Sequence, residues 1–122
     1  MWDTAAALAA LDGDAPLLHT LAAVLETELE QRGHAVDAAL DAMQGPRHGV
    51  GREDLRRVAH ACKNSAGTLR LDRLRDAATA MENAAGTEHT DAECAAAARC
   101  MRAAIDEALR ALREQRETPE HP

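Results

Sequence analysis

The sequence predicts an all-α protein, an antiparallel up-down four-helix bundle with a short N-terminal capping helix. Two observations predict this class. Alanine is very frequent, whereas Phe and Tyr are absent and Trp2 is the only aromatic residue, a composition that suits closely packed helices rather than strands. Apolar residues also recur at helical spacing in four long segments joined by short connections. With 122 residues, the chain can form one modest core.

The N-terminal part of the chain predicts two helices. Residues 3–11 form the short one, with Asp3 as its N-cap and Trp2 before it as a hydrophobic staple. Asp14 caps the second helix, which runs to about residue 44. Both starts are therefore predicted from an aspartate that precedes an apolar-periodic segment.

Glycines interrupt the helical pattern in two places. Gly33 predicts a local weakness or kink in the second helix, because mid-helix glycine costs about 1 kcal/mol relative to alanine. Residues 45–51 hold three glycines and Pro46, so they predict the clearest loop. These glycines do not form a phosphate-cradling pattern, since no strand precedes them and no Lys-Ser/Thr pair follows. A third helix then covers residues 52–69.

Capping signals bound the last two helices. The chain turns at about residues 68–72, where Asp72 is the predicted N-cap of the fourth helix, and Gly86 terminates that helix. Thr90 and Glu93 have the spacing of a capping box for the last helix.

We expect one domain over residues 1–116 and a frayed tail over residues 117–122. The longest apolar runs are too short to span a bilayer, and the N-terminus lacks the basic region of a signal peptide. The three cysteines are odd in number, so buried thiols in a reducing cytoplasm are expected rather than disulfides. They are Cys62, Cys94 and Cys100.

Charge is unevenly distributed along the chain. The net charge of −7 argues against nucleic acid as the general partner. Residues 52–75, called the basic segment below, hold seven Lys or Arg against three acids, whereas the rest of the chain holds seven against eighteen. Such a segment is either an ordinary solvated helix face or a surface that attracts an acidic partner.

The basic segment contains a histidine that points away from the predicted core. At about 100° per residue, the apolar side chains of this helix lie roughly 160–260° from His60. His60 is therefore either a solvated histidine without a function or an exposed nucleophile, since neutral imidazole is nucleophilic near pH 7. The residues within about 60° of it include Arg56, Arg57, Lys63, Asn64 and Gly67.

Hydrolytic catalysis and metal binding have little support. Local spacing suggests no Ser-His-Asp arrangement. His60 and Cys62 lie about 160° apart around the helix, and the other histidines show no His-x-x-x-His spacing. We therefore expect no metal site.

A phosphoryl-carrier role fits the surroundings of His60 better. The added negative charge needs cations, and Lys63 lies one turn on, while Arg56 and Arg57 lie one turn back. Gly67 lies two turns beyond His60 on nearly the same line. It would give a partner access, or it marks the end of the helix.

These residues resemble a known family. The pattern Ala59-His60-x-x-Lys63-x-Ser65-Ala66-Gly67, followed by Leu69-x-Leu71 and Leu74, resembles the histidine-containing phosphotransfer (HPt) domain of multistep phosphorelays. Leu11-Asp12-Gly13-Asp14 with Leu17-Leu18 resembles that family's entry to its second helix, and Met81-Glu82-Asn83-Ala84 resembles its Leu-Glu-x-Ala segment. The resemblance covers roughly residues 8–112.

The resemblance implies roles for single residues. His60 would be the phosphoacceptor, and Lys63 would neutralise the phosphoryl oxygens. Glu82 would hydrogen-bond the other ring nitrogen and fix the tautomer; the alternative is a solvent-facing acid. Asn64 and Arg70 depart from the family, which usually has glycine at both positions. Asn64 could reach the phosphoryl group or crowd the partner.

The resemblance also implies a function. The chain would be a monomeric, cytoplasmic phosphoryl carrier rather than an enzyme, since it has no nucleotide-binding motif. Its partners would be response-regulator receiver domains or a hybrid sensor histidine kinase, with no nucleic acid and no membrane. It would need no cofactor, because Mg²⁺ would belong to the receiver. The alternatives are an HPt-like docking or adaptor module that is never phosphorylated, and a structural helical protein that self-associates.

Overall fold

Five α-helices form the described part of the chain, residues 2–46 and 48–117 of a computed structural model. No strand occurs in these residues, so the predicted all-α class is confirmed. The predicted tail, residues 117–122, falls outside them apart from the last residue of α5. The helices are α1 (Thr4–Ala10), α2 (Ala15–Met43), α3 (His48–Thr68), α4 (Asp72–Ala84) and α5 (Asp91–Glu117).

The four long helices enclose a common core. Helices α2 and α4 each pack against both α3 and α5, and α1 packs against α2. Ion pairs also join α2 to α5: Arg113 donates to Glu26 over 3.2 Å, and Arg102 donates to Asp37 over 3.1 Å. The largest fully buried side chains are Leu29, Leu55, Leu69, Leu74, Met81, Met101, Ile105 and Leu112.

Three helix starts have the caps that the sequence predicts. The carboxylates of Asp3 and Asp14 each accept a hydrogen bond from the backbone N–H three residues on. Thr90 and Glu93 bond reciprocally: the backbone N–H of Thr90 donates to the Glu93 carboxylate, and the N–H of Glu93 donates to the Thr90 hydroxyl. These caps depend on residues close in sequence, which is why a linear pattern predicts them.

The predicted cap of α4 is wrong. Leu71 is the N-cap and makes no side-chain cap hydrogen bond, while Asp72 is the first helical residue. The Leu71 side chain is buried, and its N–H donates to the carbonyl of Ala66. Burial of Leu71 and this turn hydrogen bond thus fix where the helix begins. At the other end α4 stops at Ala84, two residues before Gly86.

The predicted loop over residues 45–51 is too long, because α3 already begins at His48. Gly51 is buried inside α3. A Cβ added at Gly51 would lie 2.6 Å from the backbone oxygen of Ala39 and 2.8 Å from Cγ of Met43. The glycine therefore allows α3 to approach α2 closely, and it does not break the helix.

Helix α2 runs unbroken through Gly33, from Ala15 to Met43, and the local weakness or kink at this glycine stays a prediction. Gly33 is buried, and a Cβ added there would lie 2.5 Å from Nη1 of Arg102. The missing side chain makes room for this guanidinium, which pairs with Asp37 and Asp106.

Trp2, which precedes α1, packs at the C-terminal end of α3. Its side chain belongs to the buried core, and its indole N–H donates to the carbonyl oxygen of Leu69 over 2.7 Å. This long-range hydrogen bond satisfies a carbonyl group at the helix end. The staple role that the sequence suggests for Trp2 stays a prediction.

No single helix among the described residues is both long and apolar enough to cross a bilayer. Taken together, α1 and α2 pass by length and composition, but they are bent by 111° at their junction.

Candidate functional site

His60 lies near the middle of α3 and faces solvent. Its side chain is 61% exposed. The neighbouring residues Ala59 and Cys62 are fully buried on the opposite side of the helix. The amphipathic pattern of α3 therefore places the imidazole outside the core, as the helical geometry predicts.

Glu82 of α4 holds one nitrogen of the His60 ring. The distance between His60 Nδ1 and Glu82 Oε2 is 3.2 Å. An ionised carboxylate can only accept hydrogen bonds, so Nδ1 carries the proton in this pair. The lone pair of a neutral ring is then on Nε2, at the other edge of the imidazole. The side chain of Glu82 is 22% exposed, so it is partly shielded from solvent.

The same carboxylate holds Lys63. The Lys63 ammonium lies 2.6 Å from Glu82 Oε1, so Glu82 uses its two oxygens for two different side chains. The hydrogen bond from Lys63, followed by that from His60, lowers the pKa of Glu82 below its ordinary value. Glu82 therefore stays ionised at neutral pH, which keeps it an acceptor for both groups.

Two arginines line the depression that contains His60 and Glu82. Arg56 donates to Glu53 over 2.8 Å, and Arg57 lies 3.5 Å from Asp54. Both pairs lie on the exposed surface of α3, where solvent screens ion pairs and makes them weak. Each arginine can therefore exchange its carboxylate for another anion at little cost.

Asn64 and Gly67 follow His60 along the exposed face of α3. Asn64 is exposed, and its backbone carbonyl accepts the Thr68 hydroxyl over 3.3 Å. A Cβ added at Gly67 would have no atom within 4 Å, so the surface above it is open. Helix α3 ends one residue later, at Thr68. Partner access and a helix end therefore both fit Gly67.

The family model of the Hpt domain matches residues 20–115. The chain belongs to the Hpt domain family. No curated protein and no solved structure matches it. Hpt domains act as phosphotransfer carriers in phosphorelays rather than as autonomous enzymes, and they interact with receiver domains and histidine kinases. The matched span includes His60, Lys63 and Glu82.

Carboxylates of the same Hpt domain, inside and outside the basic segment, pair with the positive charges of that segment. Each of its seven cations lies within 4.0 Å of a carboxylate oxygen. Arg52 is turned inward, where it pairs with Asp91 and donates to the carbonyls of Gly86 and His89. Arg73 pairs with Glu107 of α5. Sequence analysis missed these two acids because they are distant in the chain.

Arg70 lies two residues after the end of α3, in the turn that leads to α4. Its φ is +57°, in the left-handed region that favours glycine. The backbone N–H of Leu71 donates to the carbonyl of Ala66, and the backbone N–H of Arg70 donates to the carbonyl of Gly67 over 3.4 Å. These two bonds form a Schellman motif. Glycine would adopt this backbone conformation without the steric cost that a Cβ brings.

The cysteines of the Hpt domain are free. Cys62 and Cys94 are buried as predicted, but Cys100 is exposed because it lies one residue off the buried stripe that includes Met101. Burial raises the pKa of Cys62 to about 11, so this thiol is protonated and unreactive at neutral pH. Within residues 2–46 and 48–117, no three His, Cys, Asp or Glu side chains cluster to hold a metal.

Proposed function

We propose that this Hpt domain carries a phosphoryl group on Nε2 of His60 and passes it between the aspartates of receiver domains. The observation that carries the proposal is the contact between His60 and Glu82. It engages Nδ1 and leaves Nε2 as the free nucleophile on an exposed imidazole. Exposure matters because the phosphoryl donor is a second protein that must reach the nitrogen.

The transfer step follows from this arrangement. The Nε2 lone pair attacks the phosphorus of an aspartyl phosphate, so a P–N bond forms and the P–O bond to the aspartate breaks. The aspartate leaves as a carboxylate with the electron pair of that bond. The proton on Nδ1 stays in place, so the ring becomes cationic and faces the carboxylate of Glu82. Attack by an acceptor aspartate reverses the step and restores neutral His60.

Positive charge close to His60 supports the same role. Arg56 and Arg57 line the same depression as His60, and the ammonium of Lys63 shares the carboxylate of Glu82 with the imidazole. They can exchange their carboxylate partners for phosphoryl oxygens, which are strong hydrogen-bond acceptors. We propose that Mg²⁺ is bound by the receiver and that the Hpt domain needs no cofactor of its own.

We also propose the antiparallel up-down order of the four long helices. Two ion pairs support it: Glu26 of α2 meets Arg113 of α5, whereas Asp37, further along α2, meets Arg102, which is earlier in α5. A domain over residues 1–116, a monomeric state and a cytoplasmic location are part of the same proposal.

Label transfer tests the proposed function. The chain is mixed with a radiolabelled phospho-receiver, and label that is labile in acid but stable in alkali is followed. We expect wild type to take up such label and His60→Gln to take up none. Equal labelling of the two proteins would overturn the proposal. Receiver binding without any label would instead favour the docking module.

A further inference from the structure

The donors around His60 differ in how freely they can bind a new anion. Lys63 is held by Glu82 at 2.6 Å, and Arg56 is held by Glu53 at 2.8 Å. In the described part of the chain, no hydrogen bond engages the side-chain amide of Asn64; the Thr68 hydroxyl donates to its backbone carbonyl. Asn64 can therefore donate to an incoming group without giving up an existing contact.

The orientation of the His60 ring favours the same residue. Glu82 holds Nδ1 on the side of α3 that faces α4, and Lys63 lies on that side as well. Asn64 is about 100° further around the helix than Lys63, on the side away from α4. The free Nε2 is separated from Nδ1 by the ring carbon Cε1, so its lone pair points away from the carboxylate of Glu82. Residues four apart in a helix have Cβ atoms about 5–6 Å apart, within reach of a phosphoryl group on the ring.

We propose that Asn64 is a phosphoryl-binding residue, whose amide N–H donates a hydrogen bond to a phosphoryl oxygen on Nε2 of His60. The inference rests on the proposed function and adds a neutral donor to it. Lys63 then need not leave Glu82 for the phosphoryl group to be bound. Glu82 can keep both His60 and Lys63 in position throughout the cycle.

The bond should lengthen the life of the phosphohistidine. Phosphoryl transfer passes through a loose transition state, in which the oxygens carry less charge than in the bound phosphoryl group. A donor to these oxygens therefore stabilises the phosphorylated state more than the transition state for its loss. Removing the donor should shorten the half-life roughly 2- to 12-fold, the factor that one net hydrogen bond is worth.

Partner-free phosphorylation tests the inference. Phosphoramidate is the donor; its P–N bond breaks as the bond to His60 forms, and ammonia leaves. The half-life of the phosphorylated protein is measured in Asn64→Ala and Asn64→Asp. We expect it to fall in Asn64→Ala and to fall further in Asn64→Asp, because a carboxylate repels the phosphoryl oxygens. The matched control is Asn83→Ala, an exposed asparagine in α4, which should match wild type.

Two results would overturn the inference, and they are distinguishable from failure of the proposed function. An unchanged half-life in Asn64→Ala would show that the amide does not bind the phosphoryl group. The same unchanged half-life with faster transfer from a receiver would show that Asn64 only crowds the partner. If His60→Gln takes up phosphoramidate label as wild type does, the proposed function itself fails, and the inference fails with it.

Discussion

At the scale of single residues, Glu82 is the side chain that organises the site. One carboxylate on α4 joins two side chains of α3, a nucleophile and a cation. One of its oxygens contacts Nδ1 of His60, and the other contacts the ammonium of Lys63. The lowered pKa of Glu82 is the measurable consequence of these contacts.

The pKa of Glu82 predicts a pH-dependent stability. Because the pKa is lowered from 4.5 in the folded protein, ionised Glu82 stabilises the fold above about pH 4.5, and this contribution is lost as pH falls through the folded pKa. Glu82→Gln should therefore have a lower urea midpoint than wild type at pH 7, with a smaller difference at pH 3. The control Asn83→Ala, at an exposed position in α4, removes no titratable group, so its midpoint should differ from wild type equally at both pH values. A Glu82→Gln difference that is equal at both pH values would contradict the prediction.

The sequence predicts the residues of the candidate site but not all of the contacts that they make. Helical periodicity predicted that His60 is exposed, because side-chain direction along one helix is a local property. Resemblance suggested Glu82, since the register of α4 against α3 cannot be calculated from spacing. The contact of Lys63 with Glu82 was not predicted, because it depends on how two helices pack.

At the scale of helices, the end of α3 is strained by its sequence. Arg70 has a positive φ, which costs a residue with a Cβ about 1–2 kcal/mol relative to glycine. Arg70→Gly should raise the free energy of unfolding by about 1 kcal/mol. Ala80→Gly, at an exposed position inside α4, should lower it by about 1 kcal/mol. Urea unfolding measures the free energy of unfolding of both variants, which should change in opposite directions. A loss of stability in Arg70→Gly would contradict the claim that Arg70 is strained.

At Gly51, where α3 packs closely on α2, replacing glycine should destabilise the protein. Alanine favours helix, but its Cβ would lie 2.6 Å from the backbone oxygen of Ala39. Gly51→Ala should therefore destabilise the protein by about 1–3 kcal/mol in thermal or urea unfolding. Gly49→Ala is the matched control, because a Cβ there meets no atom within 4 Å. If Gly51→Ala were as stable as wild type, the close approach of the helices would be wrong.

Helix boundaries were predictable where local chemistry decides them. Asp3, Asp14 and the pair of Thr90 with Glu93 cap their helices because each cap spans only three residues. The start of α3 was predicted too late because glycine lowers helix propensity. Packing against α2 outweighs that local preference at Gly51.

At the scale of the whole molecule, Trp2 connects the first residues to the bundle. Trp2→Phe keeps most of the buried ring but removes the N–H that donates to the Leu69 carbonyl. Leaving that carbonyl without its donor should cost about 1–3 kcal/mol of unfolding free energy. Circular dichroism during urea unfolding measures this loss. An unchanged midpoint would show that the hydrogen bond contributes nothing to stability.

The fold class was predictable because composition and periodicity act along the entire chain. An alanine-rich sequence without Phe or Tyr has few ways to form a core other than close helix packing. The packing partners of each helix were not predictable in the same way. They depend on long-range contacts such as those of Arg113 with Glu26 and of Arg52 with Asp91.

Nuclear magnetic resonance of the phosphorylated, ¹⁵N-labelled protein shows which ring nitrogen of which histidine is bonded to phosphorus. Ring-nitrogen spectra are recorded after transfer from a phospho-receiver. We expect phosphorus coupled to Nε2 of His60 and a proton retained on Nδ1, the nitrogen that contacts Glu82. Phosphorus on Nδ1, or on any other histidine of the chain, would contradict it.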